Sequence, residues 1–557
     1  MTSALLAVAA LLSGLAAALP VHAGRLQVPA PDAPPSSAGE AIYLHGVLPS
    51  GESLAANRTD AEPMRGEQAA CVNCHQRSGL GAKEGRNLIP PITGGYLFHP
   101  LAGSAGDAQL PYIPGARLGR EPYNDQTLAR AIREGIDADG HQLNYLMPRY
   151  ALNDADLSAL IGHLRFLDRA RFPGVSANDL EFATIITPDA DPVKRRGMLD
   201  VLEQFFKDRN VAPRGESAQT MTTSGNTAYA KKMFKVNRHW VLHVWELTGP
   251  AATWTKQLEA KFAAVPVFAV ISGIGGGNWA AVSAFCEARA VPCLFPNVEL
   301  PPPDAERNFH TIYFSRGVLL EADLIATGLL DASSHAAPRH VRQIYRAGDV
   351  GEAGAQALAA RLRARDVSVS NHVIPVDAAP SAVARALQEP SVTDALVVWL
   401  RPSDLLAAAG TQVPAYPVYM SGLMGGLDAT PLPPSWRGQA HLAYPFDLSE
   451  RRRVRVDYAL GWFRIREVPV VAEQVQVDTY LACGLLSETL KHMVDAFIPD
   501  YLIESLQDTV EHRIITGYYP HLALGPHQRF ASKGGFVVHL DGTGNPRLIP
   551  DADWITP

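Results

Sequence analysis

The sequence has little charge, little cysteine and no familiar catalytic signature. Charged residues make up 19% of its 557 residues, and 56 acidic side chains outnumber 49 basic ones. This balance excludes a disordered polyelectrolyte and argues against a protein built mainly to bind nucleic acid. Five cysteines are too few for a disulfide-stapled scaffold. Hydrolase, zinc-protease and P-loop motifs are missing, so we do not expect an enzyme.

An apolar stretch opens the chain. Residues Ala4 to Leu19 carry no charge, and Val21-His22-Ala23 has the small-x-small form of a cleavage site. The run is shorter than the ~20 residues of a membrane span, so it predicts a signal peptide over residues 1–23 and a periplasmic protein. A retained membrane anchor is the alternative, because no basic residue precedes the run. No later segment is apolar enough to predict stable membrane insertion.

The most specific motif is Cys71-Val72-Asn73-Cys74-His75. This spacing lets two thiols add to the vinyl groups of one haem, with the histidine beneath the iron. A zinc ribbon would need a second close pair of ligands, and the chain has no other C-x-x-C. The motif therefore predicts one haem c, attached covalently to Cys71 and Cys74, with His75 as an axial ligand.

Met147 is the candidate for the second axial ligand. It lies in Leu146-Met147-Pro148, just before a helix that Asn153 or Asp154 would cap. A thioether ligand stabilises ferrous iron. His141 and His163 are the alternatives, and a methionine is also a common gap-filling core residue.

These motifs resemble the class I cytochrome c domain over about residues 37–168. The resemblance implies an all-α domain, here residues 24–170, whose first and last helices cross. It also implies electron transfer, and the Pro90-Pro91 pair resembles the segment whose carbonyl orients the haem-ligating histidine. A long insertion before Cys71 resembles the cytochrome subunits of periplasmic dehydrogenases. We therefore expect a redox partner protein, such as a periplasmic dehydrogenase or a terminal oxidase chain.

Beyond a linker at residues 171–178, short β-rich runs alternate with helical patterns. Strands are predicted at 182–187, 240–247, 267–272, 341–345 and 395–400, with helices between them. Such alternation indicates parallel sheets with helices on both faces. About 380 residues exceed one such unit, so residues 179–557 predict two α/β lobes.

The runs 267–273, 291–297 and 309–315 resemble the type I periplasmic solute-binding fold, in its branched-chain amino-acid-binding branch. The resemblance implies two lobes, a three-strand hinge and a small solute between them. It also implies that the glycine turn near Gly276 holds a carboxylate, which a helix start would favour. Ser272, Gly276 and Asn278 are the candidate ligand contacts, and a purely structural tight turn is the alternative.

Three cysteines lie in this second region. Cys286 and Cys293 are close enough in sequence to form a disulfide in an oxidising compartment, and two buried thiols are the alternative. Cys483 lies in an apolar helical pattern and is expected to be a buried thiol.

Together these features predict a periplasmic monohaem c-type cytochrome that transfers electrons, fused to a solute-binding or partner-docking module. The alternative is a solute-binding protein of an ABC importer that carries a haem redox sensor. A haem enzyme with an open iron site would require that Met147 does not ligate.

Overall fold

The computed structural model describes most of the chain after residue 37. The described ranges are 38–58, 61–84, 87–99, 120–167, 172–211, 238–331, 337–389, 392–409, 411–412, 414–493, 496–512, 516–541 and 547–557. The predicted signal peptide, residues 1–23, lies outside them. Among the described helices, none combines the length and the apolar composition that crossing a membrane requires. Residues 36–557 form one compact unit.

The amino-terminal domain contains five helices and five short strands in its described residues. Its helices are α1 (Ala38–His45), α2 (Val72–His75), α3 (Gly94–Phe98), α4 (Asp125–Glu134) and α5 (Asp154–Phe166). Its strands are β1 (Ala55–Asn57), β2 (Met64–Arg65), β3 (Ala82–Glu84), β4 (Asn87–Ile89) and β5 (Arg149–Tyr150). They form two small antiparallel sheets, β2-β1-β5 and β3-β4. The expectation of an all-α domain is therefore wrong.

The first and last helices of this domain cross in close contact. Gly39 of α1 lies directly against the Ala159 carbonyl of α5, where a Cβ atom would overlap that oxygen. Asn153 caps α5 by accepting a hydrogen bond from the Asp156 backbone N–H at 2.9 Å. Leu157, Leu160, Ile161 and Leu164 of α5 are buried, as their helical spacing predicts.

The first lobe is built on a parallel sheet. Its described strands are β6 (Asp179–Ile186), β7 (His239–Glu246), β8 (Ala269–Ile271), β9 (Ile274–Gly275), β10 (Cys293–Leu294), β11 (Asn297–Val298) and β12 (Thr311–Ile312). They have the order β11-β9-β6-β8-β10-β12, with β7 also paired to β6. The helices are α6 (Pro192–Val211), α7 (Trp254–Ala264) and α8 (Ala280–Ala288). The predicted alternation of strands and helices is confirmed here.

The second lobe has a mixed sheet. It begins with α9 (Val318–Leu330), β13 (His340–Arg346), α10 (Val350–Arg363), β14 (Ser368–Ile374), α11 (Pro380–Gln388), β15 (Ala395–Trp399) and α12 (Pro402–Leu405). β16 (Val418–Ser421), α13 (Gly422–Gly425), α14 (Pro434–Arg437) and β17 (Ala440–Tyr444) follow. All five residues of β15 are buried, as expected of a parallel strand covered on both faces.

After β17 the chain crosses to the first lobe, where it forms three helices, and it then crosses back to the second lobe. The returning helices are α15 (Ser449–Ile465), α16 (Glu473–Met493) and α17 (Pro499–His512). The Trp462 indole of α15 donates to Asp208 of α6 at 3.1 Å, and Gly197 of α6 lies against Gln476 of α16. β18 (Phe536–Leu540) and β19 (Leu548–Pro550) then complete the second sheet in the order β14-β13-β15-β16-β17-β18-β19, with antiparallel pairing at β18 and β19.

Three segments therefore connect the lobes, and they bond to each other. Ser532 N–H donates to the Phe314 carbonyl at 2.6 Å, and Asp447 N–H donates to the Tyr518 carbonyl at 2.9 Å. The first two crossings are short, with five residues between β12 and α9 and four between β17 and α15. This is the three-segment hinge that the resemblance to solute-binding proteins implies.

Candidate functional site

A cleft of about 600 Å³ lies between the two lobes. Its walls are segments that follow the carboxyl ends of strands in both sheets, where open α/β folds bind ligands. α16 and Tyr519 close one side. Among the described residues, seven charged side chains line it: Asp189, Asp191, Lys194, Glu299, Arg401, Glu473 and Asp478. Five of these are carboxylates, so the cleft has an excess of negative charge.

A chain of ion pairs links the lobes across the cleft. Glu299 bonds Lys194 of α6 at 3.0 Å and Arg401, just after β15, at 2.7 Å. Arg401 also bonds Asp349, the cap of α10, at 2.7 Å. Burial by itself would raise the pKa of Glu299, but Lys194 and Arg401 hold that pKa at about 2. Both cations of the cleft are therefore already paired with carboxylates of the protein.

Asp478 is the least satisfied of the cleft carboxylates. It is 2% exposed, and its Oδ2 accepts hydrogen bonds from the Tyr519 hydroxyl at 3.1 Å and from the Gln474 amide. Its buried Oδ1 has no hydrogen-bond partner in the described structure. Burial raises the pKa of Asp478 to about 7, although the bonds from Tyr519 and Gln474 act in the opposite direction. A buried carboxylate with an unused oxygen favours a nearby cation or donor.

The glycine turn before α8 is occupied by one of the protein's own carboxylates. Gly277 N–H donates to Asp189 Oδ2 at 3.1 Å, and a Cβ atom on Gly276 would overlap that oxygen. The Thr187 hydroxyl donates to the other oxygen of Asp189. An anion bound at this turn would therefore meet Asp189, which makes the predicted carboxylate-binding role of the turn unfavourable.

The three predicted solute contacts are separated in the structure. Gly276 lines the cleft, whereas Ser272 and Asn278 do not. Ser272 is fully buried, and its hydroxyl lies 3.1 Å from Thr479 and accepts from Asn297 at 2.8 Å. Asn278 is exposed and accepts from the Ala280 backbone N–H at the start of α8. Ser272 and Asn278 thus bond to other groups of the protein, and all three contacts stay predictions.

Cys286 and Cys293 are buried thiols in the structure, as is Cys483. The hydrogen bond between Cys286 and Cys293 raises the pKa of Cys286 far above its usual range, and burial adds to this effect. The two side chains are adjacent, and their oxidation to a disulfide stays a prediction.

The residues of the C-x-x-C-H motif lie at a second cavity, in the amino-terminal domain. Cys71, His75 and Met147 line a cavity of about 340 Å³, whose other walls include the apolar residues Leu97, Leu128, Ile132, Leu160 and Leu164. Cys74 lines the adjoining space together with the same three residues. The structure thus brings together all four residues that the sequence grouped, from positions 76 residues apart.

His75 is held in one orientation. Its Nδ1 lies 3.0 Å from the Pro90 carbonyl. Pro90 belongs to the proline pair that the resemblance to class I cytochromes c pointed to. Burial lowers the pKa of His75 to about 4, against the effect of that hydrogen bond. Burial also raises the pKa of Cys71 to about 12. A neutral imidazole and a neutral thiol therefore face the cavity.

The segment after His75 docks on the second region. Ser78 N–H donates to Glu504 of α17 at 3.1 Å, and Arg77 lies 3.6 Å from Asp500 of the same helix. The Arg77 guanidinium also covers the Phe309 ring at 4.5 Å. Burial raises the pKa of Glu504 to about 8. The motif loop is therefore in direct contact with the helix that follows α16.

No protein-family model and no curated protein matches the sequence. Among solved structures, the chain is similar to a possible leucine/isoleucine/valine-binding protein from Rhodopirellula baltica SH 1, with TM-score 0.51 and 12% identity over 68% of this chain and 98% of that one. It is also similar to a fatty acid ABC transporter substrate-binding protein from Thermomonospora curvata, with TM-score 0.49 and 13% identity over 70% of this chain and 95% of that one. The first of these likenesses shows the fold, a two-lobed α/β type I periplasmic solute-binding fold.

This finding corrects the predicted function. The fold shown over 68% of the chain is the two-lobed solute-binding fold and not that of an electron carrier. The prediction of an electron-carrying monohaem cytochrome with its haem c is therefore wrong, and the expected redox partner is not supported. The importer-type solute-binding alternative is better supported, without its haem sensor.

Sequence reasoning missed most of the cleft. Asp189, Glu299 and Arg401 each follow a strand that pairs in parallel with its neighbours, so a search for polar residues after predicted strands would have found them. Asp478 and Tyr519 had no such signal. Asp478 lies inside a helix, and only the return of α16 to the first lobe brings it to the cleft.

Proposed function

We propose that the protein is a solute-binding protein that holds a small molecule between its two lobes. The observation that carries this function is the cleft itself, which lies at the carboxyl ends of both sheets and is spanned by a three-segment hinge. Binding of this kind is not enzymatic, in agreement with the expectation from the sequence. A bound solute would replace the cleft water and join residues of both lobes.

A thermal-shift screen with a solute panel tests this function. The panel includes leucine, isoleucine, valine and short fatty acids. A ligand at one hundred times its Kd stabilises the folded state by about 2.7 kcal/mol. Ser315→Trp, at a half-buried position of the cleft wall, should abolish the shift. Ser381→Trp, at an exposed position of α11, should leave it unchanged. Equal shifts in both variants would place binding outside the cleft.

The charges of the cleft favour a solute that carries a protonated amine. Both cationic side chains are paired with carboxylates, the glycine turn is covered by Asp189, and Asp478 keeps one buried oxygen without a donor. An ammonium group would compensate the excess of negative charge in the cleft, whereas a carboxylate would add to it.

Three probes of equal length separate these possibilities: pentylammonium, 1-pentanol and pentanoate. Titration calorimetry at pH 8, where Asp478 is ionised, should show pentylammonium binding about tenfold or more tightly than pentanoate. Asp478→Asn should remove most of this preference. Asp191→Asn, which removes an exposed carboxylate of the same cleft, should retain it. A preference for pentanoate would contradict the charge proposal and leave solute binding intact.

Export to the periplasm and delivery of the solute to a membrane transporter are part of the proposal. The periplasmic solute-binding fold supports them. Amino-terminal sequencing of the protein from a periplasmic extract should begin at Gly24. A chain that keeps residues 1–23 would contradict cleavage.

The amino-terminal domain adds two further proposals. We propose that residues 24–170 keep the chain arrangement of a class I cytochrome c domain, supported by the crossing of α1 and α5. We also propose that Cys71, Cys74, His75 and Met147 form one ligand site, supported by their shared cavity. The test is the intact mass of the exported protein with and without iodoacetamide. Two alkylated thiols at Cys71 and Cys74, with no added mass beforehand, would contradict a ligand attached through sulfur.

A further inference from the structure

Two histidines and one aspartate meet on the second lobe, away from the cleft. His441 of β17 and His539 of β18 are direct partners in the antiparallel register, so their side chains leave the same face of the sheet. Asp551 follows β19, and its backbone N–H donates to the Val537 carbonyl at 2.9 Å. The three side chains are a quarter to a third exposed.

Their ligand atoms converge. His441 Nδ1 lies 2.6 Å from Asp551 Oδ2, and His539 Nδ1 lies 2.6 Å from Asp551 Oδ1. All the ligand atoms of the cluster fall within 4.8 Å of one another. A tetrahedral zinc ion with bonds of about 2.0–2.1 Å to nitrogen and oxygen separates its ligands by a little over 3 Å. Outward shifts of less than about 1 Å would therefore convert these three hydrogen-bonded side chains into three ligands of one metal ion.

The surroundings also hold the imidazoles in place. The Tyr419 ring stacks on His441 with centroids 5.1 Å apart and planes at 27°. The side chains of the cluster are partly exposed, so water can reach it as the fourth ligand.

We propose that His441, His539 and Asp551 bind a divalent transition-metal ion, with zinc as the best match. Two imidazole nitrogens and one carboxylate suit zinc, whereas magnesium and calcium favour oxygen ligands. On binding, each imidazole keeps one proton, on Nε2, and the metal takes the place of the two Nδ1–H···O hydrogen bonds. The ion would join β17, β18 and the segment after β19, and so fix the carboxyl-terminal end of the second sheet.

Zinc binding by the full-length protein tests this inference. The protein is stripped with EDTA, incubated with ZnCl₂, passed through a desalting column and assayed for bound zinc. The double variant His441→Gln/His539→Gln should bind one equivalent fewer than the unaltered chain. His521→Gln, at an exposed histidine outside the cluster, should bind as the unaltered chain does. Equal zinc content in the double variant and the unaltered chain would overturn the proposal.

Cobalt distinguishes this site from the thiols of the amino-terminal domain. Co²⁺ at the cluster should give weak visible bands without the near-ultraviolet thiolate-to-cobalt band, and these bands should vanish in the double variant. Asp551→Asn keeps both histidines and should weaken binding about tenfold or more, with circular dichroism as the check on folding. Unchanged cobalt spectra in both variants would also overturn the proposal, since the carboxylate and imidazoles would then act only as a hydrogen-bonded clamp.

Discussion

The amino-terminal cavity and the cleft between the lobes are built in opposite ways. The amino-terminal cavity is mainly apolar, and three of the four residues that we propose as its ligand site come from one five-residue motif. The cleft is acidic, and its charged residues come from positions 189 to 478 along the chain. The buried His75 of the first cavity has a hydrogen-bond partner, whereas the buried Asp478 of the cleft keeps an unpaired oxygen. A local motif thus marks one site, and chain topology assembles the other.

The largest expected effect concerns the scaffold of the amino-terminal cavity. Gly39→Val would force a branched side chain into the Ala159 carbonyl, with a loss of about 4 kcal/mol in the free energy of unfolding of this domain. Hydrogen exchange should then show lost protection over residues 38–167 and unchanged protection in the lobes. Gly162→Ala is the control, because nothing lies within 4 Å of a Cβ atom there. Loss of protection throughout the chain would show that the two regions unfold together.

The next effect concerns the ion pairs of the cleft. Arg401→Met removes a partner of both Glu299 and Asp349 and should lower the free energy of unfolding by about 2–3 kcal/mol at pH 7, since Arg401 is partly exposed. The pKa of Glu299 is held at about 2, below its unfolded value. Its contribution is therefore complete above about pH 4.5 and is lost as the pH falls toward 2.

Denaturant unfolding between pH 2.5 and pH 7 measures this dependence. The difference between Arg401→Met and the unaltered chain should shrink as the pH falls. Arg361→Met, which breaks a more exposed pair with Asp323, should cost less than about 1 kcal/mol. A pH-independent difference would contradict the role of Glu299.

A stabilising change is expected at Asp478. The pKa of this buried carboxylate is raised to about 7, so its stability contribution is full below its unfolded pKa and falls as the pH rises toward 7. Asp478→Asn should therefore raise the free energy of unfolding by about 2 kcal/mol at pH 8, with no gain near pH 4. Thermal melts at both pH values check this. A loss of stability at pH 8 would mean that Asp478 has a charged partner.

The smallest effect concerns the contact between the two regions. Arg77→Ala removes the partner of Asp500 and the cover of the Phe309 ring, which should cost about 1 kcal/mol of docking energy. Calorimetry should then separate the unfolding of the amino-terminal domain from that of the lobes. Arg65→Ala, at an exposed position of β2, should give the same calorimetric trace as the unaltered chain. Identical traces for the two variants would show that this contact contributes little to docking.

The amino-acid sequence by itself determined the alternation of strands and helices in residues 179–557 and the grouping of Cys71, His75 and Met147. Periodicity and spacing act over short stretches, so both could be recognised without a structure. The same local patterns led to a wrong prediction of function. The five-residue motif was more specific than the strand and helix pattern of the following 380 residues, so the function was predicted from the motif. They also missed the short β-strands of the amino-terminal domain, which have only two or three residues each.

Only the tertiary structure decided what the cleft contains. Ser272 comes from the expected turn yet is buried against Thr479, whereas Asp189 covers the turn that was expected to bind an anion. Asp478 reaches the cleft because α16 crosses back to the first lobe, and His441 meets His539 and Asp551 because β18 and β19 close the second sheet. Such contacts join residues far apart in the chain. They depend on which strands pair and where the chain crosses, and no local pattern carries that information.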